Sequence, residues 1–169
     1  MTVGKSLFSE KDRAILDAIN AQLALVVYLA AEKCPLKLDV IEGYRTERRQ
    51  AELVRAGASR TMHSRHLTGH AVDLAPIVDG VVRWDWPLFY SVAAAMRYAA
   101  LALNVPVRWG GVWDRALADL PADADGIEDA VADYVARETA RQRSAGVQKV
   151  KVFIDGPHFE IPASAPGYA

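Results

Sequence analysis

Histidine occurs only four times in the 169 residues, and its placement constrains the fold more than any other feature. His63, His66 and His70 fall close together, while His158 stands alone in Asp155-Gly156-Pro157-His158-Phe159-Glu160. Each segment also contains an acid and a turn-forming glycine, a combination that suits a metal site. If both segments serve one ion, the middle and the end of the chain must come to lie side by side.

The remaining composition is that of an ordinary globular chain. Hydrophobic residues make up 51% and charged residues 24%, enough for one well-buried domain over residues 1–169. A formal net charge of −1 argues against nucleic acid or an anionic membrane as partner. The lone cysteine, Cys34, excludes an internal disulfide and a cysteine zinc cage, and reads as a small buried hydrophobe. The opening MTVGKSLFSEKDR has no apolar core of the length a secretory signal needs. The longest apolar run, Leu23 to Ala31, falls short of the roughly 20 residues that span a bilayer. The expectation is a protein made in the cytoplasm, without an export signal of its own and without membrane insertion.

Periodicity supplies the elements. Ser9 and Asp12 form a helix-capping pattern, and Ile15, Leu16, Ile19, Leu23, Val26 and Leu29 recur at helical spacing, which predicts one helix over 10–32. Leu38 to Ile41 reads as a strand, 46–56 as a helix and Gly57 to Arg65 as a loop. His70 to Ala75 suits a strand, and Val78-Asp79-Gly80-Val81 carries an Asp-Gly hairpin signal. A helix over 87–103 opens on Pro87, followed by a strand from Val105 to Trp109 that stops at Gly110-Gly111. Residues 125–143 form a further helix, and Val150–Ile154 and His158–Ile161 read as the last strands. Helices and short strands mix without a βαβ rhythm, so the class is α+β.

Catalytic zinc takes imidazole nitrogen and carboxylate oxygen from three residues and keeps a position open for water. On a strand at 70–75 side chains alternate, so Asp73 shares a face with Ala71 and Ala75 while His70 points the other way. His66 precedes the strand, with Gly69 able to bend its ring back toward Asp73, and His158 adds a third ligand from a distant strand. His63 reads as a solvated rim residue, and His70 as a residue making supporting or core hydrogen bonds. A metal hydrolase also needs a carboxylate beside the attacking water. Asp155 is one candidate; Glu160, on the same strand face as His158, is its rival or else orients that ligand.

Ser64-Arg65-His66-Leu67-Thr68-Gly69-His70-Ala71-Val72-Asp73 resembles the Ser-x-His-x-x-Gly-x-Ala-x-Asp signature of the zinc D,D-peptidase-like family. Asp155-Gly156-Pro157-His158-Phe159 resembles its second signature, in which an acid precedes the last histidine ligand by three. Glu42-Gly43-Tyr44-Arg45-Thr46, the helix with Gln50-Ala51-Glu52-Leu53, and Trp109-Gly110-Gly111 have counterparts in the phage L-alanyl-D-glutamate endopeptidase branch. The resemblance implies a small, mainly antiparallel sheet flanked by helices, of the hedgehog/D,D-peptidase type. It implies one catalytic Zn2+ held by His66, Asp73 and His158, with Asp155 as general base. Arg45 would polarise the scissile carbonyl, and Ser64 and Trp109 would contact substrate. The implied substrate is the peptidoglycan stem peptide, cut at the L-Ala–D-Glu bond by a monomeric endolysin that reaches the wall after holin-type permeabilisation of the host membrane. Rival readings are a D,D-carboxypeptidase or dipeptidase of the same chemistry, and a non-catalytic zinc scaffold, against which Asp155 and Arg45 argue. In one departure, Arg115 to Lys149 intervene where the phage enzymes have a short loop, which is expected to reshape one cleft wall. No separate wall-binding module is expected.

Overall fold

The computed structural model describes residues 7–168; residue 169 and the first six positions of the segment read for an export signal lie outside the described residues. The predicted long helix is two helices, α1 (Glu10–Asp17) and α2 (Ala21–Lys33). The break is at Asn20, whose side chain accepts the N–H groups of Gln22 and Leu23 at 3.0 and 3.2 Å and so starts a new helix. Its own N–H donates to Gly69 O at 2.8 Å, tying the break to the loop that carries His66. At the start of α1 the Ser9–Asp12 capping box forms as the sequence predicts. Buried Asp12 also accepts the Val40 N–H at 3.2 Å and locks α1 to the first strand.

That strand, β1 (Lys37–Glu42), leads through α3 (Glu47–Arg55) to β2 (Ala71–Val78), the centre of an antiparallel sheet. β1 pairs with one edge of β2, and β5 (His158–Glu160) pairs with the other. β4 (Arg108–Trp109) lies outside β5, and the short β3 (Val81–Val82) closes a hairpin on the far end of β2. Asp79 and Gly80 both take positive φ, 52° and 77°, as a two-residue hairpin turn requires. The inner sheet face, with Val72, Leu74, Trp109 and Phe159, packs into a core built with α2 and α4 (Trp86–Leu103). The helix α5 (Ala124–Ser144) lies on α4 and buries Ile127, Ala130, Val131 and Tyr134. Cys34 ends α2 half-buried against this core rather than inside it.

Two predicted strands are shorter than their β-prone composition suggests. Val105 to Val107 is a tight turn, with the Val107 N–H on Val105 O at 3.0 Å around Pro106, so only Arg108 and Trp109 join the sheet. Residues 150–154 join no strand of the sheet. Their alternation survives: Val152 and Ile154 are half-buried, while Lys151 and Phe153 face outward. Among the described residues no helix is long and apolar enough to cross a membrane.

Candidate active site

Strand register assembles the outer face of the sheet. Asp73 lies opposite His158, and Glu160 lies opposite both Ala71 and Arg108. Cross-strand partners share a face, so Asp73, His158, Glu160 and Arg108 all project away from the core. A bulge between Val40 and Glu42 brings Glu42 opposite Asp73 and adds it to the same face.

His66 arrives from a 3₁₀ turn, Arg65–Thr68, in which Ser64 Oγ accepts the His66 N–H at 3.3 Å. Gly69 ends the turn at φ 71°, a left-handed bend that suits glycine and turns the chain into β2. The His66 ring is buried, and its Nδ1–H donates to Gly43 O at 2.6 Å, which presents Nε2 to Asp73 Oδ1 at 3.2 Å. His158 is held in the same manner. Its Nε2–H donates to Glu160 Oε2 at 2.9 Å, leaving Nδ1 3.1 Å from the same Asp73 oxygen. One ligand atom from each of His66, Asp73 and His158 thus lies within 4.8 Å of the others. Two imidazole nitrogens and a carboxylate oxygen, with the second nitrogen of each ring fixed by a protein acceptor, form a donor set that fits zinc.

The electrostatics follow from these contacts. Burial opposes ionisation of Asp73, but the hydrogen bonds from His158 and His66 and their charge hold its carboxyl well below the usual carboxylate range. Burial likewise opposes charging His158, yet its bonds to Asp73 and Glu160 raise it to about 9 in the metal-free protein. Asp155 is pushed up by burial and by the nearby Asp73, in part offset by His158, His66 and Arg45. Its N–H donates to Gly110 O at 2.8 Å and its carbonyl accepts the His158 N–H at 3.3 Å, so this half-buried acid is fixed beside the ligand cluster. Glu160 is buried and paired with both His158 and Arg108, which leaves it orienting the imidazole rather than free to take a proton.

Arg45 is buried at the side of the cleft. Its guanidinium is clamped by both oxygens of Glu42 and donates to Gln50 Oε1 at 2.6 Å. Gln50 is itself fully buried and bonded to Ser59 and Thr61, so it anchors both the arginine and the loop 57–64. Glu42 and Arg45, together with the ligand cluster and Asp155, line an open cleft of about 790 Å3 that also includes Ser64, Arg60, Arg108, Trp113, Lys151 and Phe153.

Not every expected residue reaches it. Trp109 is fully buried, stacked on Phe159, with its indole N–H on Gly156 O at 2.7 Å, so it cannot touch substrate in the cleft. The aromatic in that position is Trp113, tilted against the His158 ring at 5.4 Å. His63 is an exposed rim residue of the cleft. His70 precedes β2 and bonds Thr68 Oγ1 at 3.0 Å, outside both the ligand cluster and the core. Glu42, Gln50, Arg108, Trp113 and Phe153 went unassigned in the sequence. Arg108 alternates with buried Trp109, a pattern that would have found it had the two-residue extent of β4 been legible.

Comparison with known proteins finds relatives of the whole chain and of its parts. The family model for phage L-alanyl-D-glutamate peptidases matches residues 5–133. The L-alanyl-D-glutamate peptidase of Escherichia phage T5 is 29% identical over 111 residues, covering 63% of this chain and 81% of that protein. A peptidase of the same description from Listeria phage A118 is 32% identical over 83 residues, which are 49% of this chain and 28% of that longer protein. The crystal structure of the L-Ala D-Glu endopeptidase ChiX of Serratia marcescens superposes with a TM-score of 0.65 at 31% identity, covering 92% of this chain and 90% of that one.

Proposed function

This chain belongs to the phage L-alanyl-D-glutamate peptidase family, and from that membership we propose that it is a zinc-dependent peptidase that cuts the L-Ala–D-Glu bond of peptidoglycan stem peptides. The observation that carries the reading is the convergence of His66, Asp73 and His158 at the floor of an open cleft. A zinc ion there supplies Lewis-acid polarisation of a carbonyl and acidification of a water.

The chain's own groups do the rest. Asp155, held beside the cluster by its bond to Gly110, accepts the proton of the attacking water and returns it to the departing amine. Its raised affinity for a proton suits a group that must both take and give one. Arg45, pinned by Glu42 and Gln50, aims its remaining N–H groups at the oxyanion that develops on the scissile carbonyl. A guanidinium that is already fixed costs no reorganisation at the moment of reaction. Glu160 and Gly43 hold the two imidazoles in the tautomers that present a lone pair to the ion. In this reading the protein is a phage endolysin that lyses the host once the membrane has been breached.

Digesting purified peptidoglycan with the zinc-loaded protein, followed by mass spectrometry of the fragments, tests the proposal. The expected products end in L-alanine on the sugar side and begin with D-glutamate on the peptide side. Release of free D-alanine would assign a D,D-carboxypeptidase instead, and no release with metal bound would leave a scaffold.

A further inference from the structure

The cleft holds more positive charge than this chemistry uses. Arg45 is neutralised by Glu42 and Arg108 by Glu160, while Arg65 is tied to the carbonyls of Ile161 and Tyr168. Arg60 and Lys151 are different. Both are exposed, both line the cleft, and neither has an acidic partner among the described residues. Arg60 is nevertheless placed, with its guanidinium carbon 5.0 Å from the centroid of the Phe153 ring. Lys151 lies two residues before Phe153 on the same outward side of the extended segment. Phe153, though 43% exposed, stacks on Trp113 at 5.8 Å, and Trp113 in turn meets the His158 ring at 5.4 Å. An aromatic wall therefore runs outward from the ligand cluster to Arg60, and Lys151 lines the same cleft without an acidic partner among the described residues.

Unpaired like charges at the edge of a low-dielectric wall favour an anion between them. An extended peptide advances about 3.3–3.6 Å per residue. Two rings, Trp113 and Phe153, stand between His158 and Arg60, at successive separations of 5.4, 5.8 and 5.0 Å, so a carboxylate that meets Arg60 lies away from the scissile bond rather than at it. On the sugar side of that bond the substrate carries no carboxylate, whereas the peptide side carries several. Resting on the peptidase reading above, we propose that Arg60 and Lys151 form a subsite for a carboxylate of the stem peptide beyond D-glutamate, so that the enzyme selects stems whose distal carboxylates are free.

The test uses the zinc-loaded full chain and the leaving peptide, D-Glu–diaminopimelate–D-Ala, with its carboxylates beyond D-glutamate either free or amidated. Calorimetric titration is expected to show about fivefold tighter binding of the free acid, shrinking as salt is raised, as exposed charge pairs require. In the Arg60→Gln/Lys151→Gln double variant the ratio falls to near one, while Arg60→Lys retains most of it. Equal affinities in the wild type, or an unaltered ratio in the double variant, overturn the subsite. Hydrolysis of the intact stem peptide is followed in parallel. Turnover without acid preference refutes the subsite alone; acid preference without turnover supports it and sinks the peptidase reading instead.

Discussion

Replacing Gly110 by alanine probes the position of Asp155 without altering the identity of any proposed ligand or catalytic residue. Gly110 donates its N–H to His158 O at 2.9 Å and accepts that of Asp155 at 2.8 Å, so it fastens β4 to the segment carrying both residues. A methyl group there would lie 2.3 Å from Asp155 O, 2.9 Å from Asp155 Cβ and 3.0 Å from Trp113 Cζ2. The nearest of these atoms is backbone, so no rotamer change relieves the clash. Restoring ordinary contact requires the Asp155 segment to withdraw by about 1 Å. Overpacking of this kind costs about 1–3 kcal/mol, which lowers Tm by roughly 2–4 °C per kcal/mol in a chain of this size. A 1 Å misplacement of a reacting group costs on the order of 10²-fold in rate. Thermal melting, zinc content and turnover on a stem peptide, measured on one preparation, should show a folded, metal-loaded protein with kcat reduced about a hundredfold. Wild-type turnover with unchanged Tm would mean that neither the contact nor the placement of Asp155 matters.

Asp155→Asn should bind zinc as tightly as the wild type and lose about 10²–10⁴-fold in kcat, read by turnover against metal content; full activity would move the base elsewhere. Glu160→Gln removes the charged acceptor of His158 Nε2–H and the partner of Arg108, and should weaken zinc about 10–100-fold in chelator competition; unchanged affinity would count against its orienting role. For the metal-free protein a pH profile follows. His158 is raised from 6.5 to about 9, so its contribution is complete below about pH 6.5 and is lost as pH climbs to 9. Asp73 is lowered from 3.8, so its contribution is present above about pH 3.8 and is lost as pH falls further toward its depressed value. Melting of chelator-treated protein should therefore show Tm declining between pH 6.5 and 9, and a rise over that range would contradict the assigned contacts.

The site was more legible than the sheet around it. His66, Asp73 and His158 could be selected because strand alternation separates Asp73 from His70, and β2 does place Asp73 opposite His158. The pairing of Arg108 with Glu160, and of Glu42 with Arg45, depended on register and on a bulge that no local pattern announces. Trp109 and Trp113 stand four residues apart in one short stretch around Gly110-Gly111. Only the direction of β4 decides that the first fills the core and the second faces the cleft. The split between α1 and α2 was written in Asn20, a strong helix-starting residue, but the continuous apolar period on either side concealed it. The extended segment 150–154 shows the converse: its alternation was real, and what was missing was a neighbouring strand to pair with.

The proposed chemistry requires one ion to meet three side chains. A crystal grown with zinc, with diffraction recorded across the zinc absorption edge, should give a single anomalous peak about 2.0–2.2 Å from His66 Nε2, Asp73 Oδ1 and His158 Nδ1, open to the cleft on its remaining side. A map with no peak among those three atoms, or one in which a fourth protein ligand closes the ion off from the cleft, would contradict it.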